Sequence, residues 1–460
     1  MKKFLITLLI LCLVGGAAYF VWDSGLIHYI LRDHLTGLEY EFYEDYYIVV
    51  GAGSYKESST IVIPSKHLGK SVREIDEFAF AESKNLESVT ISDNVAYIGE
   101  GAFAGCQNLK NVTINSGKLH TIEKKAFAFC SSLTSITLPN SVDSIGEGAF
   151  GGCNNLESMT LSLDFTFVRS EEIFFPHGDP MLGIDFYTQT DYYPFGFIFG
   201  TDSYPGSVRI VQTSYRVLPE RLFPDKDIIV DLDPETSTSS HIASYYIPES
   251  LTSLTITGYH EFYGNELESF STLTHLVIDG NLHKFGRTLT GCDNIESIRI
   301  TDRVTRTDIG ALSFWQYLPS LTNIIVDSEN PMYYSDGNCL IERESKNLIF
   351  GCNSSVIPQG VTSIGKNAFC RCEELKNVTI PESVTNIGAR AFYDCDSLTS
   401  ITIPDSVTSI SEYAFENCSS LTSITFDGTM KQWDAITKEG WDVFSDIIYV
   451  VCSDGVVTLN

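Results

Sequence analysis

The sequence predicts a β-rich solenoid, in which units of about 23 residues stack on one another and share a parallel sheet. The same Val-Thr-x-Ile motif opens at Val361, Val384 and Val407, which lie 23 residues apart. Four earlier units open at Val72, Val95, Leu119 and Val142. In all seven units the eighth residue after the opener is phenylalanine. A repeat this regular indicates one supersecondary unit copied along the chain.

Each unit is expected to contain one strand and one turn. The Leu-x-x-Ile-x-Ile pattern, as in Leu398, Ile401 and Ile403, alternates with the period of two that a strand requires. The Gly-x-x-Ala-Phe segment, as in residues 365–369, is too short for an independent helix and should form one turn that returns the chain. Because no unit can bury its apolar face alone, neighbouring units must supply the other half of the core.

Serine and threonine occupy the outward positions of the predicted strands. They are Ser135, Thr137, Ser158, Thr160, Ser400, Thr402, Ser423 and Thr425. The simpler interpretation is that they are soluble, β-compatible side chains. The alternative is a ladder that contacts a ligand.

Three further segments accompany the repeats. Residues 47–72 precede the first units, residues 336–349 interrupt the array with Asp-Gly-Asn-Cys-Leu-Ile, and residues 426–455 follow the last unit. With the 23-residue unit, these segments resemble the BspA-like family of leucine-rich-repeat surface proteins, over roughly residues 40–161 and 245–455. The resemblance implies a right-handed leucine-rich-repeat solenoid with short helical turns on its convex side, a hairpin insertion and a binding function.

The repeat pattern divides the chain into eight predicted segments. They are an N-terminal signal or anchor (1–22), an N-terminal cap (23–71), regular repeats (72–161), an irregular aromatic-rich segment (162–246), degenerate repeats (247–329), the hairpin insertion (330–360), regular repeats (361–426) and a C-terminal cap (427–460). The strand triplet returns at residues 251–256, 273–278, 295–300 and 321–326, which argues for one solenoid with irregular connections.

The N-terminus has the composition of an export segment. Met1-Lys2-Lys3 precedes an uncharged, mostly apolar run from Phe4 to Trp22, which is long enough for a membrane-spanning helix. A cleavable signal with a cut after Ala18 is the alternative, but the apolar run continues past that site. The sequence therefore favours an uncleaved anchor, with Asp23 onward outside the cell.

The charge of the chain restricts its partners. There are 30 Lys and Arg residues against 59 Asp and Glu residues, which gives a formal net charge of −29. Such a field repels phosphate backbones, so nucleic acid is excluded as a partner. An extracellular protein or a glycan is the expected partner, together with the membrane through the N-terminal segment.

The irregular segment, residues 162–246, has two interpretations. In the first, degenerate repeats pack their aromatic residues into an irregular core, with Met181, Ile184 and Phe186 as a surviving strand triplet. In the second, the segment protrudes and binds the partner, because aromatic rings often supply interface contacts. The candidate ligand-binding residues are Tyr187, Tyr192, Tyr193, Phe195, Phe197 and Tyr204.

Cysteines recur at the eleventh position after the opener. They are Cys106, Cys130, Cys153, Cys372, Cys395 and Cys418, and Cys292 belongs with them by its spacing to Ile295. Equivalent side chains in adjacent units point in parallel directions, which opposes disulfide formation, so a buried thiol ladder is expected. Cys339 and Cys352 flank the hairpin insertion, and whether they pair outside the cell is left open.

No catalytic, cofactor or metal motif is present. Phosphate-binding glycine loops, Gly-x-Ser-x-Gly and zinc-ligand spacings are all missing from the sequence. Asp225, Asp227, Asp231 and Asp233 could hold a hard cation but lack the spacing of a known site. We therefore expect a non-enzymatic binding or adhesion scaffold without cofactors. The alternatives are a structural envelope spacer, or an enzyme within residues 162–246, for which no converging polar set is visible.

Overall fold

A computed structural model describes residues 17–23, 26–32, 37–162, 166–167, 194–200, 203–213, 242–261, 267, 269–283, 289, 291–305, 318–438 and 449–459. The chain forms two compact units. The first comprises residues 1–213 and 241–252, and the second comprises residues 214–240 and 253–460. Both are built from stacked β-rungs, which confirms the predicted solenoid.

The first unit consists of strands joined by turns. Its elements are β1 (Ala17–Asp23), β2 (Leu26–Arg32), β3 (Glu39–Tyr43), β4 (Tyr46–Gly51), a 3-10 turn (Gly53–Tyr55), β5 (Thr60–Ile63), β6 (Lys66–His67), β7 (Lys70–Ile75), β8 (Ser88–Ile91), β9 (Tyr97–Ile98), β10 (Asn111–Ile114), β11 (Thr121–Ile122), β12 (Ser135–Thr137), β13 (Ser144–Ile145), β14 (Ser158–Ser162), β15 (Thr166–Phe167), α1 (Pro194–Phe199), β16 (Ser207–Thr213) and β17 (Ile242–Pro248).

The N-terminal strands form antiparallel pairs, β1 with β2, β2 with β3 and β3 with β4. The predicted membrane helix over Phe4–Trp22 is therefore wrong for residues 17–22, which lie in β1. Aromatic and β-branched residues such as Tyr19, Val21 and Trp22 favour a strand. Residues 1–16 lie outside the described part. Among the described residues, no helix has the length and apolarity to cross a membrane.

Two parallel ladders run through the regular repeats of the first unit. One joins β4, β7, β9, β11, β13 and β15, and the other contains the strands β5, β8 and β10, with β12 and β14 paired in the same way. The second ladder is the predicted one, whereas the ladder of short strands beside the opener was not predicted. In β12, Ile136 is 2% exposed while Ser135 and Thr137 are exposed, so the predicted inward and outward faces are confirmed.

Phenylalanine rings fill the core between the ladders. Phe80, Phe103, Phe127 and Phe150 stack in one column, with centroids 5.1, 5.1 and 5.3 Å apart and interplanar angles of 5–7°. All four rings are at most 1% exposed. The stacking gives each rung an aromatic contact with both neighbours, so burial of one ring depends on the next rung.

The described part of the irregular segment contains one helix, α1, and the strands β15, β16 and β17, the last of which ends just beyond it. The strands β16 and β17 pair antiparallel from Ser207 opposite Pro248 to Thr213 opposite Ile242. Phe195 and Ile198 of α1 are completely buried. The predicted strand triplet at Met181, Ile184 and Phe186 lies outside the described residues.

The second unit continues the same architecture. Its elements are β18 (Ser253–Glu261), β19 (His275–His283), β20 (Ser297–Ile300), β21 (Asn323–Val326), β22 (Tyr333–Asp336), β23 (Cys339–Glu342), β24 (Asn347–Phe350), β25 (Ser363–Ile364), β26 (Asn377–Thr379), β27 (Asn386–Ile387), β28 (Ser400–Ile403), β29 (Ser409–Ile410), β30 (Ser423–Phe426), α2 (Met430–Ala435), β31 (Thr437–Lys438), β32 (Tyr449–Cys452) and β33 (Gly455–Thr458).

The degenerate repeats are rungs, as the strand triplets predicted. β18, β19, β20 and β21 are parallel, with Leu254, Leu276, Ile298 and Ile324 in register. The expected hairpin is formed by β22 and β23, which pair antiparallel, and β24 returns beside β23.

Two ladders resume in the last regular repeats. One runs β24, β25, β27, β29 and β31, and the other runs β26, β28, β30, β32 and β33. Phe369, Phe392 and Phe415 again stack, at 5.1 and 5.4 Å. Helix α2 begins with a capping box. The Thr429 hydroxyl accepts a hydrogen bond from the Gln432 backbone N–H, and the Gln432 side-chain oxygen accepts one from the Thr429 backbone N–H. Trp433 of this helix is buried against Phe426.

Candidate functional site

The turn of each regular unit makes its own hydrogen-bond ladder. In the unit that opens at Val361, the amides of Asn367, Phe369 and Arg371 donate to carbonyls of the next rung, at 2.9, 2.7 and 2.7 Å. The unit that opens at Val384 repeats this with Arg390, Phe392 and Asp394, at 3.0, 2.8 and 3.0 Å. The predicted single turn is therefore also a third site of contact between rungs.

This ladder requires a left-handed backbone at two positions of every regular unit, the sixth and tenth after the opener. All fourteen such residues have φ between 54° and 75°. In the four units that open at Val72, Val95, Leu119 and Val142, which we call the first block, four of the eight are glycine: Gly101, Gly105, Gly148 and Gly152. Glycine adopts this conformation without steric cost. The other four are Phe78, Glu82, Lys125 and Phe129.

In the three units that open at Val361, Val384 and Val407, which we call the last block, none of the six left-handed positions is glycine. They hold Asn367, Arg371, Arg390, Asp394, Tyr413 and Asn417. For an L-residue this conformation costs roughly 1–2 kcal/mol, with asparagine and aspartate the best tolerated. Arginine and tyrosine have no such advantage. Six such positions without a glycine, against four glycines among eight in the first block, point to a use for the side chains of the last block.

Five of these six side chains, all except the buried Asn367, lie together on the turn side of three successive rungs, and with Tyr393 they form what we call the arginine–tyrosine patch. It comprises Arg371, Arg390, Tyr393, Asp394, Tyr413 and Asn417. The Arg390 guanidinium lies 5.9 Å from the Tyr393 ring centroid and 5.1 Å from that of Tyr413. Both distances are within the range of a cation–π contact.

Polar contacts connect the rest of the patch. The Asn417 Nδ2 donates to the Tyr393 hydroxyl at 3.0 Å and to Asp394 Oδ1 at 2.8 Å. The Arg371 Nε lies 3.8 Å from Asp394 Oδ2, with the two side chains 41% and 27% exposed. Burial raises the pKa of the Tyr393 phenol, and the carboxylates of Asp394 and Glu416 raise it further. The phenol therefore stays protonated and keeps its hydroxyl as a hydrogen-bond donor.

The predicted ligand-binding residues fall elsewhere. Tyr187, Tyr192 and Tyr193 lie outside the described residues, as does the Phe197 side chain. Phe195 is completely buried in α1, 6.5 Å from Phe199, so its ring belongs to the core and cannot contact a partner on the surface. Tyr204 is partly buried, and its hydroxyl is enclosed without a hydrogen-bond partner. Burial raises the pKa of this phenol.

The cysteines form the predicted core ladder. Each thiol of the regular units donates to a carbonyl of the preceding rung, such as Cys130 to Phe103 at 3.2 Å and Cys395 to Phe369 at 3.1 Å. All eleven cysteines of the described residues are free and buried. Cys339 and Cys352 are among them, so no disulfide joins them in this structure, and the Cys339 thiol lies 3.5 Å from the Gly337 carbonyl.

We expect the ladder thiols to be inert while the protein is folded. Burial raises the pKa of Cys106 to about 11 and that of Cys153 to about 12, so thiolate is scarce at pH 8. Maleimide treatment of the native protein followed by peptide mass spectrometry should leave both unmodified, whereas labelling in guanidinium should be complete. Modification of Cys106 or Cys153 in the native protein would show that the ladder opens.

The described residues contain little that suits small-molecule chemistry. No group of three or more His, Cys, Asp or Glu within them has the geometry for a metal ion. The four aspartates at 225–233 lie outside the described part. A cavity of about 10 Å³ beside Phe350, Cys352 and Cys372 has room for one water molecule.

The stacked rungs, with consensus leucine, isoleucine and phenylalanine positions in the core, define a leucine-rich-repeat solenoid. The family model described as "BspA type Leucine rich repeat region" matches six copies over residues 52–175 and 347–439. The chain thus carries leucine-rich repeats of the BspA type over these residues, as its sequence pattern indicated. Solenoids of this class are typically non-catalytic scaffolds.

Three of the solved structures that the chain matches are bacterial leucine-rich-repeat proteins. A leucine-rich cell surface protein from Faecalibacterium prausnitzii is 20% identical, with 92% of this chain and 98% of that chain covered and a TM-score of 0.26. The T. pallidum leucine-rich-repeat protein is 17% identical (57% and 90% covered, TM-score 0.33), and the pneumococcal vaccine antigen PcpA is 15% identical (95% and 88% covered, TM-score 0.31). None of the curated proteins matches the sequence significantly.

Proposed function

We propose that this protein is a binding scaffold on the outer face of the cell envelope, which captures a protein or glycan partner. The observation that carries the proposal is the arginine–tyrosine patch. Five of its six residues occupy left-handed backbone positions, where glycine would be less strained. The first block uses glycine at half of the equivalent positions, so the fold itself does not require these side chains.

The chemistry of the patch supports a binding role. Tyrosine and arginine dominate the few residues that carry most of the energy in recognition surfaces. Here two tyrosine rings hold the guanidinium of Arg390 between adjacent rungs, and Asn417 fixes the Tyr393 hydroxyl at 3.0 Å. The side chains are thus ordered before a partner arrives, which reduces the entropy lost on binding.

A structural spacer without a ligand is the competing function. It agrees with the uniform serine and threonine on the outward face of the strands, such as Ser400 and Thr425. It does not explain why the last block has no glycine at any of its six left-handed positions. Tyr187, Tyr192 and Tyr193 remain a predicted second contact region.

Glycine substitution separates binding from stability. In Arg390→Gly and Tyr413→Gly the free energy of unfolding should stay the same or rise by up to about 1 kcal/mol, because relief of the left-handed strain offsets the lost ring contacts. Partner capture by the whole chain on arrays of host proteins and glycans should fall at least tenfold in both variants. Urea denaturation and array binding are the two measurements.

Lys125→Gly is the matched control, because Lys125 has the same backbone conformation, with φ of 56°, and lies in the other block. It should bind like the parent chain. If Arg390→Gly and Tyr413→Gly lost more than about 2 kcal/mol of stability, their side chains would have a structural role. If both bound normally, the patch would not be the recognition surface.

A further inference from the structure

The surface around the arginine–tyrosine patch lacks an apolar centre. Within residues 361–426, all of which the structure describes, no large hydrophobic side chain is exposed. Stable protein–protein interfaces bury a patch whose core is more apolar than the rest of the surface. The exposed residues here are polar or charged, so the patch is poorly suited to a large protein partner.

The patch instead combines flat rings with planar hydrogen-bonding groups. The Tyr393 and Tyr413 rings are half-buried and both contact the Arg390 guanidinium, and the part of each ring that remains exposed can accept the apolar C–H face of a pyranose. Around them, the Asp394 carboxylate accepts hydroxyl protons, the Arg371 guanidinium donates, and the Asn417 amide does both. Sugars present this same alternation of C–H faces and equatorial hydroxyls, whereas an aliphatic ligand would leave the polar groups unpaired.

The two tyrosines of the patch lie on adjacent rungs. Adjacent rungs are 5.1 and 5.4 Å apart, as measured between the stacked rings of Phe369, Phe392 and Phe415. Tyr393 is the ninth residue after its opener and Tyr413 is the sixth after the next, so the two rings occupy different positions of their turns. The patch therefore offers two neighbouring but non-equivalent ring contacts.

The charge of this block selects against polyanions. Residues 361–426 contain four basic and eight acidic side chains. Glu412 and Glu416 belong to the same turn as Tyr413 and Asn417. A sulfated or uronic-acid polymer would therefore be repelled by the net negative charge of this block. The two arginines do not overcome this repulsion, because Arg390 already contacts the tyrosines and Arg371 lies near Asp394.

We infer that the arginine–tyrosine patch binds a neutral polysaccharide, with sugar rings packed on Tyr393 and Tyr413 of two adjacent rungs. This inference rests on the proposed binding function and names the class of its ligand. Tyr413 and Tyr393 provide the stacking surface, which the Arg390 guanidinium holds in place, and Arg371, Asp394 and Asn417 provide the hydrogen bonds.

Affinity electrophoresis of the whole chain tests the inference. Native gels contain yeast mannan, a β-1,3-glucan, arabinoxylan or heparin. At least one of the neutral polymers should retard the parent chain, heparin should not, and Tyr413→Gly and Arg390→Gly should each weaken retardation at least tenfold. Lys125→Gly should migrate like the parent, and the unfolding midpoint of each variant confirms its fold.

The possible outcomes separate this inference from the broader function. No retardation by any neutral polymer, or retardation by heparin alone, overturns the inference. If the arrays then show capture of a protein that depends on Tyr413 and Arg390, the binding function stands with a different ligand. If neither gels nor arrays show binding that depends on the patch, both proposals fail.

Discussion

Replacing Phe392 with alanine is expected to lower the free energy of unfolding by about 3–5 kcal/mol, the usual cost of removing a buried aromatic ring. The ring is completely buried and stacks between Phe369 and Phe415, with interplanar angles of 1° and 4°. Its removal leaves a cavity that borders two neighbouring rungs, so both lose contacts. Urea denaturation monitored by circular dichroism measures the loss in the free energy of unfolding.

Ser400→Ala provides the comparison, because Ser400 is exposed on β28 and its hydroxyl only donates to the Asn377 side chain at 3.2 Å. That variant should stay within about 0.5 kcal/mol of the parent. Equal losses in Phe392→Ala and Ser400→Ala would mean that the inward and outward faces have been assigned wrongly.

The rungs could be predicted because the residues that fill their core recur at a fixed spacing in the sequence. A residue such as Phe392 or Leu398 recurs at a fixed spacing only if the same side of each rung faces the interior. The degenerate rungs followed the same rule, since Leu254, Leu276 and Ile298 kept the strand triplet after the consensus phenylalanine and glycine positions had changed.

The ladder of short strands beside the opener and the turn ladder were not predicted, because both depend on the backbone. Strands of two residues, such as Thr121–Ile122, are too short to show alternation. A left-handed residue reveals itself in sequence only when it is glycine. Aligning Gly101, Gly105, Gly148 and Gly152 with the last block would have drawn attention to Arg371, Arg390 and Asp394, which occupy the same columns.

The predicted aromatic site shows a different limit. Counting rings in residues 162–246 identified an unusual composition, yet it could not assign each ring to a face of the structure. Phe195 proved to be completely buried in α1, as the first interpretation of that segment expected. Non-repeating sequence lacks the comparison between units that separated inward from outward residues in the regular blocks.

Gly146→Ala is expected to be a second strongly destabilising substitution, at about 3 kcal/mol, because the new methyl group collides with the preceding rung. An ideal Cβ at Gly146 would lie 2.1 Å from the Lys124 amide nitrogen and 2.5 Å from the Glu123 carbonyl carbon. Both are backbone atoms, so no side-chain rotation relieves the contact. The Gly146 amide also donates to the Ile122 carbonyl at 2.7 Å, which holds the two rungs together.

Gly117→Ala tests whether the effect is specific to that contact, because a Cβ at Gly117 would have no atom within 4 Å. Its stability should be unchanged or raised by about 0.4–1 kcal/mol, since alanine reduces the entropy of the unfolded chain. Urea midpoints of the two variants should therefore move apart. Equal midpoints would show that the backbones of adjacent rungs are packed less closely at Gly146 than the structure requires. The unit would then tolerate a side chain at position 146.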